Sequence, residues 1–158
     1  MQLDSSSEPL LNVVLVEPEI PPNTGNVGRL CMATSVRLHL VEPLGFNLDD
    51  KQLRRAGMDY WNQLDVKVWP SFEVLRSEVG DESQFWFFTT KADSSFWDVK
   101  FSPKDYLVFG RETKGLPETL LEKNESNCLR IPMAKGARSL NLATAVGIGV
   151  YAALRSLV

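Results

Sequence analysis

The sequence predicts an α/β fold, with a mainly parallel β-sheet that is covered by helices on both faces. Segments of β and α character alternate along the 158 residues at lengths typical of strand–helix–strand units. Residues 10–16 are a continuous apolar run with one Asn, the pattern of a strand buried on both faces. Two later strand-like runs, 106–109 and 128–131, each lead into a Gly-containing loop and then into helix-favouring sequence. We therefore expect a single domain over residues 10–158, preceded by a flexible tail over residues 1–9.

The first half of the chain predicts alternating strands and helices. Three prolines in residues 17–26 exclude a helix there, and Asn, Thr and Gly in the same segment supply a capping signal for a helix over 25–35. The further elements expected in this half are a strand over 37–41, a helix after the capping residues 47–50, a strand over 66–69, and a helix over 71–78 with Ser71 as its N-cap.

The second half is predicted to end in a buried helix. Before it we expect an aromatic strand over 84–90, an irregular segment over 93–103, the strand 106–109, and one or two helical turns over 118–123. Residues 140–158 are strongly apolar, but Asn141, Arg155 and several small residues interrupt them. Because the apolar core is shorter than the roughly 20 residues of a membrane span, a buried helix is the better interpretation and no membrane partner is expected.

Metal, hydrolytic and dinucleotide chemistry are not expected. The two cysteines, Cys31 and Cys128, are far apart, and together with the one histidine they lack zinc-ligand spacing. Both lie in apolar runs and the N-terminus has no secretory pattern, which predicts free buried thiols in a reducing cytoplasm. His39 lies inside an apolar strand, which favours a core residue over a Ser-His-Asp triad. Neither G-x-G-x-x-G nor G-x-x-x-x-G-K-[ST] occurs.

The overall charge gives little support for a nucleic-acid partner. The net charge is −3 and the isoelectric point is about 5.2, whereas nucleic-acid-binding proteins usually present a basic surface. Local charge matters more than the total, and two basic clusters occur. The first consists of Lys51, Arg54 and Arg55, and the second of Arg111, Lys114, Lys135 and Arg138.

Two loops, 109–117 and 131–141, are expected to form a ligand site. Their glycines let the backbone approach a ligand, and their prolines and polar residues prevent the strands from continuing. At the carboxyl ends of neighbouring parallel strands, such loops form the crevice where open α/β sheets bind ligands. Arg29 follows the Pro/Asn/Gly loop in an otherwise small and apolar helix, so we expect it near this crevice, with an exposed surface arginine as the alternative.

Three motifs in these regions resemble those of the SPOUT class of RNA methyltransferases. They occupy residues 23–31, 109–117 and 131–142, in the order and at the separation found in that class. A further stretch, residues 42–61, is similar to one subfamily, the tRNA (cytidine(34)-2'-O)-methyltransferases, which modify the wobble nucleotide. The resemblance extends from about residue 11 to the C-terminus.

The resemblance implies a C-terminal deep trefoil knot, a rare exception among protein folds, and a homodimer with the last helix at its interface. Small residues of that helix would permit close approach, although they also suit packing within one chain. The implied methyl donor is S-adenosylmethionine. The residues that match its binding positions are Thr89, Lys91, Phe109, Gly110, Glu112, Gly115, Ile131, Met133, Ser139 and Leu140.

The implied reaction is transfer of the sulfonium methyl group to a ribose 2'-oxygen. The residues that match the catalytic positions are Arg29, Asn23, Ser139 and Asn141. Arg29 either activates the 2'-hydroxyl or orients the nucleotide while another group accepts the proton, since a free guanidinium stays protonated at neutral pH. Glu112 caps loop amides or contacts substrate, and Asn141 has a helix-capping role as its alternative.

The resemblance also implies tRNA as the partner. The residues expected to contact its phosphates are Lys51, Arg54, Arg55 and Arg138, with a solvated helix face as the alternative for the first three. Arg111 stands where many members carry proline, which would alter the donor loop or add a phosphate contact. The alternative functions are 2'-O-methylation of another tRNA or rRNA site, or a non-catalytic RNA-binding module that keeps the fold.

Overall fold

The computed structural model describes residue 3 and residues 8–158, and for residues 57–60 it describes the backbone alone. The strands of the described chain are β1 (Asn12–Val16), β2 (Arg37–Val41), β3 (Val66–Trp69), β4 (Phe85–Phe88), β5 (Tyr106–Phe109) and β6 (Cys128–Leu129). The α-helices are α1 (Pro21–Thr34), α2 (Lys51–Gly57), α3 (Phe72–Val79), α4 (Glu118–Lys123) and α5 (Leu142–Arg155). Short 3-10 helices span Met58–Gln63, Phe96–Asp98 and Glu125–Asn127.

The strands form one sheet in the order β3-β2-β1-β5-β4-β6, and all pairs are parallel. β1 lies in the middle, where Val14 pairs with His39 on one side and Val108 on the other. All five residues of β1 are buried. Val13 and Leu15 belong to the hydrophobic cluster that includes residues of α1 and α5, whereas Val14 and Val16 belong to the cluster that includes residues of α3. The predicted parallel sheet with helices on both faces is confirmed.

Helix α1 begins earlier than predicted. The expected helix starts at residue 25, but Pro21 and Pro22 are already its first two helical residues. Proline is tolerated at these positions because the first amides of a helix have no partner within the helix. The prediction that all three prolines exclude a helix was therefore wrong for two of them. The N-cap, Ile20, provides no side-chain hydrogen bond, so the cap has to come from elsewhere in the fold.

Other helix starts follow the predicted capping residues. At the start of α2, the Asp50 carboxylate accepts a hydrogen bond from the Gln52 amide at 2.8 Å. Ser71 Oγ accepts from the Val74 amide at 3.1 Å and caps α3 as predicted. Strand β4 is shorter than the predicted 84–90, so residues 89 and 90 lie in the loop at its carboxyl end.

The two ligand loops do not follow neighbouring strands. β5 pairs with β4, and β4 pairs with β6, so β4 lies between the strands that carry the loops. The prediction of neighbouring strands was wrong because sequence order does not determine spatial order in a parallel sheet. The crossover through α4 carries the chain past β4 to the edge of the sheet. The crevice therefore has three strand ends beneath it rather than two.

The single histidine is a core residue. His39 is 1% exposed, its Nε2 lies 2.9 Å from Asn12 Oδ1, and Trp69 Nε1 donates to its Nδ1 at 3.0 Å. Burial lowers the pKa of His39 from 6.5 to about 4, so the ring is neutral. Cys31 and Cys128 are free and buried, as predicted.

Three further expectations concern what the described residues contain. The predicted tail, 1–9, lies outside them except for residues 3, 8 and 9. Within them, no helix is both long and apolar enough to cross a membrane. Nor do they bring together three or more His, Cys, Asp or Glu side chains in a group that could hold a metal ion.

Candidate active site

A cavity of about 590 Å³ opens at the carboxyl edge of the sheet, above the ends of β5, β4 and β6. Its volume lies within the range of small-molecule sites, and this edge is where open α/β sheets bind ligands. The predicted site residues that line it are Asn23, Thr89, Phe109, Gly110, Glu112, Gly115, Ile131, Met133, Arg138, Ser139, Leu140 and Asn141. The fold thus brings together residues that are more than 100 positions apart in the chain.

The loop after β5 folds tightly back on itself. The Arg111 amide donates to the Gly115 carbonyl at 3.3 Å, and the Gly115 amide donates to the Arg111 carbonyl at 2.9 Å. A Cβ atom at Gly110 would lie 2.2 Å from the carbonyl carbon of Gly115, so no side chain fits there. Gly115 has a φ of +66°, which side chains disfavour. Both glycines are therefore required by the loop that forms one wall of the cavity.

Glu112 supplies the cap that α1 lacks in its own sequence. Its Oε2 accepts from the Glu19 amide at 2.8 Å and its Oε1 from the Ile20 amide at 3.0 Å. In return, the Glu19 carboxylate accepts from the Thr113 amide at 3.1 Å and the Thr113 hydroxyl at 2.7 Å. Of the two roles left open by the sequence, the structure shows the capping of loop amides. These reciprocal hydrogen bonds fix the loop after β5 against the start of α1.

Two asparagines connect the third loop to the same assembly. Asn141 Nδ2 donates to Asn23 Oδ1 at 3.0 Å, and Asn23 Nδ2 lies 3.5 Å from Glu112 Oε1. Asn141 Oδ1 accepts from the Thr144 amide at 3.2 Å and so caps α5. The capping role of Asn141 that the sequence left open is therefore present. The starts of α1 and α5 and the loop after β5 are held together by side chains at the cavity wall.

The floor of the cavity is aromatic and apolar. The rings of Phe88 and Phe109 stack with centroids 4.6 Å apart. A Cβ atom at Gly149 would lie 3.2 Å from Phe109, so this glycine of α5 serves packing within the chain. Ile131 and Met133 add apolar surface from the loop after β6. The site therefore combines apolar side chains with polar loop backbone.

The free charges at the cavity are positive. Glu112 is the one carboxylate among the described lining residues, and backbone amides occupy both of its oxygens. Arg111 and Arg138 also line the cavity, and neither side chain forms a hydrogen bond or ion pair with another described residue. The Arg111 Nε is moreover buried. The cavity is thus suited to a ligand that carries an anionic group.

A sequence model of the SpoU rRNA Methylase family matches residues 10–151. The chain belongs to this family. A curated relative, the tRNA (cytidine(34)-2'-O)-methyltransferase of Burkholderia ambifaria, is 49% identical over 151 residues, which cover 92% of this chain and 95% of the relative. A solved structure from work on the 2-OH methylation of C/U34 on tRNA matches with a TM-score of 0.88 and 42% identity over 93% of this chain and 95% of that one.

The structure of an AdoMet-bound rRNA methyltransferase from Sinorhizobium meliloti matches with a TM-score of 0.84 and 25% identity, over 96% of this chain and 58% of that one. The resemblance that the motifs indicated is thereby confirmed at the level of the SpoU family. The cavity in this chain also suits S-adenosylmethionine. Apolar side chains that include Phe88 and Phe109 line it, the glycine-bearing wall lets backbone approach a ligand, and the buried Arg111 Nε has a hydrogen to donate.

Several predicted site residues do not line the cavity. Lys91 points to a neighbouring cavity, where its Nζ forms an ion pair with Glu118 at 3.1 Å. Lys51, Arg54 and Arg55 lie on α2, and Arg54 bonds Asn62 and Asp49 there. Arg29 is exposed on α1 and forms no hydrogen bond or ion pair within the described chain.

The position of Arg29 follows from helix geometry. It is six residues beyond Asn23 on α1, which places it about 9 Å further along the axis and on a different face. The structure therefore does not bring Arg29 to the cavity wall of its own chain.

Three lining residues, Ile20, Phe88 and Ala145, were not predicted. Arg111 and Thr113 lie in the predicted loop 109–117, Leu142 lies in the third motif, and Thr90 lies between the predicted Thr89 and Lys91, although none of these four was among the predicted donor-binding residues. Phe88 and Thr90 flank Thr89 at the carboxyl end of an aromatic strand, and the rule that ligands lie at such ends could have identified them. Ile20 carried no such signal, because it reaches the cavity only through the cap that Glu112 provides to α1.

Proposed function

We propose that the protein is an S-adenosylmethionine-dependent methyltransferase that modifies the 2'-oxygen of the wobble nucleotide of tRNA, a cytidine at position 34 and also a modified uridine there. The observation that carries this proposal is the cavity itself. The three motif loops meet at the carboxyl edge of the sheet and are joined by the Glu112–Asn23–Asn141 contacts. The 49% identity to a tRNA (cytidine(34)-2'-O)-methyltransferase over almost the whole of both chains supports the choice of substrate.

The cavity residues hold the donor in this proposal. When bound, the donor supplies a methyl group on a sulfonium, which is already a good electrophile. The stacked Phe88 and Phe109 rings and the apolar side chains of Ile131 and Met133 hold its nucleoside part and exclude water. The backbone of the loop after β5 stays close because Gly110 leaves no side chain in the way. The protein's main contribution is then to position the reacting groups.

Polar side chains at the cavity orient the ribose. Asn23 and Asn141 are held by their mutual hydrogen bond and by Glu112 and Thr144, so the second N–H of each amide group has a fixed direction. Ser139 lines the cavity beside them and is exposed, which leaves its hydroxyl available to substrate. Arg138 lies next to it with no anionic partner in the described chain and is proposed to contact a phosphate. Lys51 and Arg55 are exposed on α2 and are proposed as further phosphate contacts.

We also propose a homodimer in which Arg29 completes the cavity of the partner subunit. Helices α1 and α5 pack against each other and leave large apolar side chains exposed, namely Met32, Ile148 and Tyr151. Tyr151 is 58% exposed. Association through this surface would bury these side chains and bring a second copy of α1 to the site. The exposed Arg29 then either orients the nucleotide or activates the 2'-hydroxyl.

Three further features belong to the proposal. The described chain forms a single domain over residues 10–158, with a deep trefoil knot in its C-terminal third. The position of β6 outside β4, and the return of α5 to the β1–β5 face, support the knot. Two free buried cysteines support a cytoplasmic location.

Methyl transfer to defined RNAs tests the proposed reaction. Purified protein and labelled S-adenosylmethionine would be incubated with a tRNA transcript carrying cytidine 34 and with the matched transcript carrying 2'-deoxycytidine 34. We expect incorporation in the first RNA alone, mapped to nucleotide 34 by mass spectrometry. Incorporation at another tRNA position or into rRNA fragments would establish the alternative substrate. No incorporation into any of these RNAs would favour a non-catalytic binding module.

Mixed dimers test the position of Arg29. Arg29→Ala and Gly110→Ala subunits with different tags would be co-expressed, and the heterodimer would be purified through both tags. Each homodimer is expected to be inactive. If Arg29 acts on the partner's cavity, the heterodimer contains one complete site and regains about half of the wild-type activity. A heterodimer as inactive as both homodimers would refute the action of Arg29 across the interface.

A further inference from the structure

Arg111 has an unusual environment that the proposed reaction does not yet use. It lines the cavity from the loop after β5, and its backbone is engaged by Gly115. Its side-chain Nε is buried and has no hydrogen-bond partner in the described part of the chain. A buried N–H of a charged group without an acceptor is costly, because the group has lost its water and gained nothing. Such atoms are rare in folded proteins and need a specific explanation.

The protein does not provide the missing acceptor. The nearest carboxylate in sequence, Glu112, is used by the amides of Glu19 and Ile20. The Glu19 carboxylate is used by the amide and hydroxyl of Thr113. None of the ion pairs between described residues includes Arg111.

The cavity indicates where an acceptor would come from. Arg111 and Arg138 line the same cavity, and neither side chain forms an ion pair or hydrogen bond with another described residue. An oxyanion in this cavity would meet the positive charge of Arg111, which acts on the Glu19 carboxylate only through space, and an N–H with no competing acceptor. A guanidinium also presents its donors in a planar fork that matches a carboxylate or a phosphate.

We propose that Arg111 binds an oxyanion of a ligand in this cavity, either the carboxylate of the donor's amino-acid part or a phosphate of the RNA. The identity of these ligands rests on the proposed function. The contact resides in one side chain of the loop, whereas Gly110 and Gly115 act through the shape of the loop. Its loss is therefore expected to weaken binding of the anionic ligand selectively, without loss of the fold.

Two donor-like probes separate a carboxylate contact from a general effect on the cavity. S-Adenosylhomocysteine carries the carboxylate, whereas 5'-methylthioadenosine keeps the nucleoside and thioether and lacks the amino-acid part. Titration calorimetry would compare wild type, Arg111→Met and the control Lys114→Met. Lys114 lies in the same loop and is exposed, but it does not line the cavity. For a carboxylate contact, Arg111→Met weakens S-adenosylhomocysteine roughly tenfold or more and leaves 5'-methylthioadenosine within about twofold.

An RNA arm identifies a phosphate contact. A tRNA anticodon stem-loop would be titrated with each variant at saturating S-adenosylhomocysteine, over a series of salt concentrations. For a phosphate contact, Arg111→Met leaves the affinity for S-adenosylhomocysteine unchanged and weakens the affinity for the RNA. The slope of log RNA affinity against log salt concentration should also be smaller in magnitude by about one than in Lys114→Met. Either selective loss supports the proposal and names the source of the oxyanion.

Stability measurements distinguish a ligand contact from a structural role. Because Arg111→Met removes an unsatisfied buried N–H, the ligand-free variant is expected to keep or raise its thermal unfolding midpoint. Arg111→Lys retains the charge without the fork and should bind between wild type and Arg111→Met, which provides a second variant if methionine disturbs folding.

Two results would overturn the assignment of Arg111. One is unchanged affinity for both S-adenosylhomocysteine and RNA, and the other is equal weakening of S-adenosylhomocysteine and 5'-methylthioadenosine. Neither touches the proposed function, which fails if the wild type binds no S-adenosylhomocysteine or does not methylate nucleotide 34 of tRNA.

Discussion

Removing the carboxylate of Glu112 is predicted to release the loop after β5 from the start of helix α1. In Glu112→Ala, the amides of Glu19 and Ile20 lose acceptors at 2.8 and 3.0 Å, and no side-chain cap on α1 replaces them. A hydrogen bond to a charged acceptor contributes about 1.5–3 kcal/mol, and the partial exposure of this pair places each near the lower limit. We therefore expect a loss of about 2–4 kcal/mol in the free energy of unfolding.

Urea unfolding at one protein concentration measures this loss, and Glu118→Ala provides the control. Glu118 lies six residues further along, at the start of α4, where its side chain is 76% exposed and its ion pair with Lys91 is a surface contact. Such pairs contribute at most about 1 kcal/mol. Glu112→Gln, which retains one acceptor oxygen, should fall between the two. If Glu112→Ala loses no more stability than Glu118→Ala, the carboxylate does not hold the loop and the reasoning from these distances fails.

Four further predictions concern the cavity wall, the methyl transfer, the proposed dimer and the buried His39. Gly110→Ala forces a Cβ to 2.2 Å from Gly115 backbone and should abolish S-adenosylhomocysteine binding by calorimetry. Arg29→Ala should keep that binding and reduce methyl transfer at least about a hundredfold. Tyr151→Glu should convert the dimer to monomers in analytical ultracentrifugation, since it places a charge on the exposed apolar face. Burial lowers the pKa of His39 from 6.5 to about 4, so the free energy of unfolding keeps its full value above about pH 6.5 and should fall by about 3 kcal/mol as the pH is lowered to 4. Urea titrations of His39→Gln should show no such loss.

Each of these predictions has an outcome that would contradict it. Donor binding by Gly110→Ala at wild-type affinity would mean that the loop relaxes around the new methyl group. Unaltered turnover in Arg29→Ala would remove that residue from the reaction. A Tyr151→Glu dimer would move the interface away from α5. The same acid-induced loss of stability in wild type and His39→Gln would assign it to other groups.

Local signals in the sequence predicted most of the fold. Strands β1, β2, β3 and β5 match continuous apolar or alternating runs, and the caps Asp50 and Ser71 mark the starts of their helices. The start of α1 was missed because its cap comes from Glu112, more than 90 residues further along the chain. No local pattern contains that contact. The interposition of β4 between β5 and β6 was missed for the same reason, since strand order depends on how crossovers pack.

The candidate site was predicted largely through resemblance, and the structure adds how its residues act on one another. The sequence could place Asn23, Glu112 and Asn141 in motifs, but not show that they bond one another. Lys91 was predicted at the donor site because it matches a donor-binding position of the family it resembles. Its side chain instead pairs with Glu118 at a neighbouring cavity. A match to a motif position therefore did not determine which of two adjacent cavities a long side chain enters.

The acidic composition is compatible with an RNA substrate because the charges at the site are not equally available. Amides and a hydroxyl donate to the carboxylates of Glu112 and Glu19, which keep their negative charge but already serve as hydrogen-bond acceptors within the chain. By contrast, Arg29, Arg111 and Arg138 form no ion pair with any described residue. An approaching phosphate therefore meets three guanidinium groups without ion-pair partners if the partner subunit contributes Arg29. The net charge of −3 is a sum over the whole chain, so it does not describe the local potential at the cavity.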